Sequence, residues 1–150
     1  MSERISRHKM FMEIAKIVAK RGTCDRAQVG AVLVNQFNKI VSIGYNGSPH
    51  GEPHCDEVGH LMFNGHCIRT IHAEENCLEG LTLCGKYIMY VTHYPCPKCQ
   101  ITIYEKLRKD CATMLVIYDG MYGEPTAFEE LKEVHGVLQF SSLQSLEDMI

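Results

Sequence analysis

Two motifs constrain this chain more than anything else in it: His72-Ala73-Glu74 and, about twenty residues later, Pro95-Cys96-Pro97-Lys98-Cys99. Together they set out one imidazole, one carboxylate and two thiols in a defined order. Residues two apart on a regular helix point roughly 200° away from each other. His72 and Glu74 can therefore face one site only if a helix presents its N-terminal end there, not its side. Cys96 and Cys99 are three apart, so they face the same way across one turn. Pro97 suits a first helical position, where its missing N–H costs nothing. Any fold that uses both motifs has to aim two helix N-termini at one point. The positive ends of those helix dipoles favour thiolate over thiol.

The rest of the chain supplies elements to do this. Ile5, Met10, Phe11, Ile14, Ala15, Ile17 and Val18 recur at near-helical spacing and predict an amphipathic helix over residues 4–20, stopped by Arg21-Gly22. Residues 28–34 read as a strand, 35–38 as a turn and 39–44 as the hairpin partner. Residues 47–71 show no periodicity, and a structureless stretch of that length asks for a reason. A helix is then expected over residues 72–79, a strand over 87–92, a helix over 97–108 and a strand over 113–118. A last helix is expected from Thr126 to Val134 and a final strand from Val137 to Phe140. A hairpin feeding βα units favours an α/β fold, with a five-stranded mixed sheet and helices on both faces.

The chain has 150 residues, about one ordinary domain, and 45% of them are hydrophobic. No internal repeat or second domain is visible, so residues 1–150 read as a single domain. A formal net charge of -3 argues against a broad nucleic-acid surface, which shows as a basic footprint. The N-terminus reads as polar and no apolar run approaches the roughly 20 residues of a membrane span, so the expected location is the cytoplasm. Without a signal peptide, the eight cysteines and eight histidines point to metal ligation for several of them, not to disulfides.

His72, Cys96 and Cys99 supply three zinc donors, which leaves the fourth tetrahedral position for water, as in catalytic and not structural zinc sites. Zinc lowers the pKa of such a water from about 15.7 toward 7. Glu74 is then better placed to carry protons than to ligate, whereas Glu75 is expected on the surface. A structural zinc knuckle, or a reduced Cys-x-x-Cys pair with an unrelated histidine, is the competing explanation. A scaffold of that kind has no use for a carboxylate beside an open metal position. The full set resembles the signature of the zinc-dependent nucleobase deaminases. That resemblance implies water attack at a ring carbon, with Glu74 moving protons to the ring nitrogen and to the departing amine.

A narrower resemblance covers residues 20–120. Gln28-Val29-Gly30-Ala31, Gly44-Tyr45-Asn46-Gly47-Ser48-Pro49-His50-Gly51 and Cys67-Ile68-Arg69-Thr70-Ile71-His72-Ala73-Glu74 are similar to the deoxycytidylate deaminases. Membership implies the cytidine-deaminase-like three-layer α/β/α fold and conversion of dCMP to dUMP, the thymidylate precursor. It further implies activation by dCTP with magnesium, inhibition by dTTP, and a homo-oligomer, usually a hexamer. The effector segment of that family corresponds to Gly44, Tyr45, Asn46, Gly47, Pro49 and Gly51. Glycines there let backbone amides approach phosphate oxygens, although a glycine-rich turn at a strand end is the alternative. The resemblance also gives Asn46 a contact to the substrate sugar. It makes Tyr122 the candidate for packing on the pyrimidine ring, with Tyr118 competing and core packing open for both. Arg26 is the candidate for the substrate phosphate, a solvated arginine being the alternative.

Cys24, Cys55, His60 and Cys67 form a second set, three of them within the aperiodic stretch. Four ligands would close a structural zinc tetrahedron and clip that segment to the body, with His66, or His54, as a substitute donor. Scattered reduced cysteines and histidines are the alternative. Cys77, Cys84 and Cys111 have no partners by spacing and are expected as buried small apolar residues. Two other functions compete: deamination of another cytosine or adenine substrate, nucleoside or polynucleotide, and a non-catalytic zinc module. An acidic chain fits a polynucleotide poorly, and a nucleoside enzyme has no need of a phosphate cradle.

Overall fold

Gly30-Ala31-Val32-Leu33-Val34 carries no polar side chain, so a strand made from it has to be covered on both faces. That requirement organises the molecule. The computed structural model describes residues 4–22, 28–47, 62–63, 66–67, 71–120, 133–134 and 137–148. In chain order the elements are α1 (Arg7–Ala19), β1 (Gly30–Asn35), β2 (Ile40–Tyr45), β3 (Met62–Phe63), β4 (His66–Cys67), α2 (Ala73–Leu78), β5 (Lys86–His93), α3 (Pro97–Asp110), β6 (Thr113–Gly120), β7 (Glu133–Val134), β8 (Leu138–Ser142) and α4 (Leu143–Asp148).

The main sheet runs β2-β1-β5-β6-β8-β7. β1 pairs antiparallel with both β2 and β5, whereas β5, β6 and β8 run parallel. The expected mixed five-stranded sheet is therefore present, with the two-residue β7 added at its far edge. The alternation of β1 separates two cores. Val32 and Val34 face α1, where Phe11, Met12, Ala15 and Val18 meet Tyr90, Ile117 and Leu143. Ala31 and Leu33 face α2 and α3, among Ala73, Cys77, Met89, Val91, Ile103, Leu107 and Val116. Helices on both faces make the three-layer arrangement that the sequence pattern and the family resemblance lead one to expect.

Helix α1 begins where Ser6 Oγ accepts the Lys9 N–H at 3.2 Å, an N-cap. It lies directly on the backbone of β1: a Cβ on Gly30 would collide with the Ala15 carbonyl oxygen. β2 is packed just as closely from the other face, since a Cβ on Gly44 would collide with the Ala73 carbonyl oxygen and the Cys77 amide. Ser42 Oγ donates to the Cys77 carbonyl at 2.6 Å, and Asn76 Nδ2 donates to the Tyr45 carbonyl at 2.6 Å. These contacts hold α2 in place although its six residues are too few to be stable alone.

Several expectations need correction. Glu133 and Val134, read as the end of a helix, form β7 and pair with Gln139 and Leu138; residues 126–132 lie outside the described residues. Pairing with β8 has outweighed helical spacing there. The aperiodic stretch contains the antiparallel pair β3–β4. Helix α4 was not anticipated, though Ser142 Oγ caps it by accepting the Ser145 N–H at 3.1 Å. Cys77 is buried as expected, but Cys84 and Cys111 are exposed, because Cys84 lies in the irregular segment before β5 and Cys111 at the C-cap of α3, both outside the sheet.

The contact at Gly30 yields a stability prediction. Gly30→Ala should cost about 1–3 kcal/mol, because the extra carbon meets helix backbone that cannot rotate away. A lowered urea midpoint with an unchanged m-value is the expected readout.

Candidate metal and catalytic site

The site lies just beyond the carboxyl end of β5, where ligands bind in open α/β sheets. After His93 the chain turns: the Tyr94 N–H donates to the Gly120 carbonyl at 2.7 Å, and Cys96 becomes the N-cap of α3 with Pro97 directly after it. Gln100, almost fully buried, donates from Nε2 to the Pro95 carbonyl at 2.9 Å and so braces this turn. Across from it, His72 is the N-cap of α2 in an extended conformation. Gly47 and Ile71 exchange two backbone hydrogen bonds, 3.1 and 2.7 Å, which set His72 against the end of β2.

Both helix starts thus converge, as the motif spacing required. His72 Nδ1 lies 3.1 Å from Cys99 Sγ and 3.5 Å from Cys96 Sγ. All three ligand atoms fall within 4.8 Å of one another. Hydrogen bonding by Cys99, helped by His72, lowers the Cys96 thiol to about 4, so this sulfur is a thiolate at neutral pH. Hydrogen bonding to that thiolate, then burial, raises Cys99, while the Cys96 contact raises His72. One imidazole and two thiols, brought together on the positive ends of two helices, fit zinc by donor chemistry and by number. Among the described residues this is the one cluster of three such donors.

Glu74 is 4% exposed. Burial raises its pKa, while hydrogen bonding with Cys99 and the nearby His72 charge pull it down. It is therefore a carboxyl able to hold a proton, at the lip of the metal-donor set. Glu75 departs from the expectation of a surface position. Its side chain is 25% exposed, its Oε1 is buried without a hydrogen-bond partner among the described residues, and Lys98 Nζ stands 3.8 Å away. The reason is that α2 lies against α3, so Glu75 faces the start of that helix.

Asn46 is buried at the end of β2, with Oδ1 accepting the Val29 N–H at 2.7 Å. Gly22 makes room for it, since a Cβ there would press on the same oxygen. Asn46, Gly47 and His72 thus border one another, whereas Gly44 and Tyr45 precede them within β2. Gly44 has a packing task of its own under α2. Tyr118 stacks edge-on against Tyr94 at 4.7 Å, and Phe140 adds a third ring at 5.5 Å from Tyr94. Cys24, Arg26, Pro49, Gly51, Cys55, His60 and Tyr122 lie outside the described residues, and of His66 and Cys67 only the backbone, in β4, is described. The sequence reading missed Gln100, Ser42 and Asn76. Gln100 was findable as the residue one turn after Cys96 on the same helix face; the other two had no sequence signal.

The family described as "Cytidine and deoxycytidylate deaminase zinc-binding region" matches residues 5–115. The chain is 43% identical over 104 residues to "ComE operon protein 2" of Bacillus subtilis, covering 65% of this chain and 53% of that protein. It is 34% identical over 138 residues to the deoxycytidylate deaminase of Schizosaccharomyces pombe, covering 85% of this chain and 41% of that protein. The chain spans about half the length of these two relatives. It is 32% identical over 136 residues to the deoxycytidylate deaminase of Homo sapiens, covering 85% of this chain and 74% of that protein. The solved dCMP deaminase from the cyanophage S-TIM5 in complex with dCMP and dUMP superposes with a TM-score of 0.69 at 22% identity, covering 90% of this chain and 95% of that one, a likeness of fold. By motif, donor geometry and family match, the chain belongs to the cytidine and deoxycytidylate deaminase family.

Proposed function

We propose that this chain catalyses the hydrolytic deamination of dCMP to dUMP and ammonia. The observation that carries the reading is Glu74, a buried carboxyl of raised pKa on the same helix end as the metal donor His72. Zinc held by His72, Cys96 and Cys99 would supply a Lewis acid that makes a water acidic enough to react at neutral pH. Glu74 does the proton work: it takes one proton as water adds to C4 of the cytosine and delivers it to the ring nitrogen, then takes the remaining proton from the hydroxyl now on C4 and gives it to the exocyclic amine, which leaves as ammonia while C4 becomes a carbonyl. Burial favours the protonated form that this return step needs. Gln100 and the Gly47–Ile71 pair keep the two helix ends in register. Exclusion of water around Glu74 strengthens each of these contacts.

The finer assignments belong to the same proposal. Asn46 holds the substrate sugar, Arg26 the phosphate, and Tyr122 packs on the ring. Residues 44–51 bind dCTP with magnesium as activator and dTTP as inhibitor. The enzyme works as a homo-oligomer, a hexamer by family resemblance, in the cytoplasm, and its dUMP supplies thymidylate synthesis. Residues 1–150 act as one deaminase domain, and Cys24, Cys55, His60 and Cys67 hold a second, structural zinc. All of these assignments rest on the resemblance; for Asn46 and the effector segment the placement of Asn46 and Gly47 next to Ile71-His72 adds support. Among the described residues no helix is long and apolar enough to cross a membrane.

Four measurements test this reading. An ultraviolet assay should give turnover on dCMP well above that on CMP, deoxycytidine and cytosine, and preference for an unphosphorylated substrate refutes the substrate assignment. Glu74→Gln should lose at least about 10²-fold in kcat, the usual scale of general acid–base catalysis, with zinc content unchanged; retained turnover overturns the mechanism. Metal analysis should find two zinc ions per chain, falling to one in His72→Ala, and dCTP should raise activity at low dCMP while dTTP lowers it. A single zinc in the wild-type protein counts against the second site.

A further inference from the structure

At the far end of α3 from the candidate metal donors, two exposed cysteines lie on segments that are tied together. Lys86 and Thr113 pair where the parallel strands β5 and β6 begin, and the Thr113 N–H donates to the Gly85 carbonyl at 3.0 Å. Three residues earlier on each segment, the Leu83 N–H donates to Asp110 Oδ2 at 2.9 Å. Leu83 and Asp110 are 27 residues apart, and Lys86 and Thr113 keep that same offset. Cys84 and Cys111 share it too, and lie between the two contacts. The two hydrogen bonds bracket both cysteines and so bring the two segments side by side at Cys84 and Cys111, although Asp110 ends α3 and Cys111 is left-handed and not part of the strand ladder. Disulfides join Cα atoms about 4.4–6.8 Å apart, a separation on the scale that backbones tied together on both sides of the pair allow.

Both segments are held. The Cys84 N–H donates to Tyr87 Oη at 2.9 Å, and Leu83 and Ala112 on either side are buried in the core. Cys111 is the C-cap of α3 in the left-handed conformation, φ 56° and ψ 43°, with its N–H returned to the carbonyls of Arg108 and Leu107. A left-handed position favours glycine or asparagine, so a cysteine there answers to something other than backbone preference. Cys77, the structural contrast, is buried and its thiol is pushed up to about 12 by desolvation. Cys84 and Cys111 are open to reagents and Cys77 is not.

We propose that Cys84 and Cys111 form an oxidisable dithiol, a modification site that a low-molecular-weight disulfide converts into an intramolecular disulfide. The thiolate of one cysteine attacks a sulfur of the small disulfide, releasing one small thiolate and leaving a mixed disulfide. The second cysteine, as thiolate, attacks the protein sulfur of that mixed disulfide and releases the other small thiolate. Two protein thiols are oxidised, one small disulfide is reduced to two thiols, and no other reactant is needed. The resulting bridge would close a loop that contains β5, both metal-donor cysteines and all of α3. It therefore constrains the segment that carries two of the three metal donors.

The test uses the zinc-loaded full chain and glutathione disulfide. Digestion without reductant, followed by mass spectrometry, should find the Cys84 and Cys111 peptides joined, with zinc content unchanged. Closing that loop should raise Tm by about 5–10 °C, reversed by a thiol reductant. Cys84→Ser and Cys111→Ser should each abolish the rise and carry a glutathione adduct on the remaining cysteine. Separate adducts on both cysteines of the wild-type chain with no joined peptide overturn the proposal, as does a Tm rise that persists in Cys84→Ser. The peptide mapping on wild-type protein stands whether or not either variant folds.

Discussion

Two helix N-termini can aim at one point only if the backbones behind them are allowed to come close. In this protein that freedom sits at the β2–α2 contact. Gly44 offers no side chain, so Ala73 and Cys77 lie on the strand itself. Ser42 and Asn76 lock the helix there by hydrogen bonds to and from backbone carbonyls, and the Gly47–Ile71 pair sets the residue before His72. The Cys96 turn on α3 is braced from the other side by Gln100. Of the three candidate metal donors, His72 and Cys96 are helix N-caps and Cys99 lies in the first turn of α3, so the convergence of the two helix starts sets all three.

The same convergence explains the electrostatics. Two helix dipoles point their positive ends at a cluster containing two thiols and a carboxylate. Within it, hydrogen bonding by Cys99, helped by His72, lowers the Cys96 thiol. Glu74 shifts in the opposite sense because burial outweighs its hydrogen bond with Cys99 and the nearby His72 charge. Neighbouring acids driven apart in this way suit different tasks, and the proposed mechanism uses that difference. The sheet contributes by position: β5 delivers the Cys-x-x-Cys turn at its carboxyl end, and its antiparallel partner β1 leads, through β2, to Asn46 and Gly47.

Helix α3 links two kinds of cysteine chemistry. At its start Cys96, half-buried, and Cys99, buried, form with His72 the candidate metal-donor set. At its end Cys111 is exposed, on a segment tied to that of Cys84 by the hydrogen bonds Leu83–Asp110 and Thr113–Gly85. The buried Ile103 and Leu107 anchor the helix between them, so that a constraint at one end acts on the same rigid element as the other.

Much of this was legible in the sequence, for identifiable reasons. β1 announced itself as an unbroken apolar run, α1 by its 3.6-residue spacing, and the site by a spacing that only helix starts can satisfy. These are local patterns, and local patterns survive folding when packing agrees with them. What failed was decided by distant partners. Glu133 and Val134 became a strand because β8 lay alongside, and Glu75 became half-buried because α2 lies against α3. Cys84 and Cys111 stayed exposed because both sit outside the sheet. By itself the sequence determined the candidate donor set, the candidate carboxyl and the order α1, β1, β2, α2, β5, α3, β6. Tertiary structure alone decided which side chains brace the site, what Gly44 makes room for, and which segments are tied together around Cys84 and Cys111, since those depend on through-space distances between segments far apart in the chain.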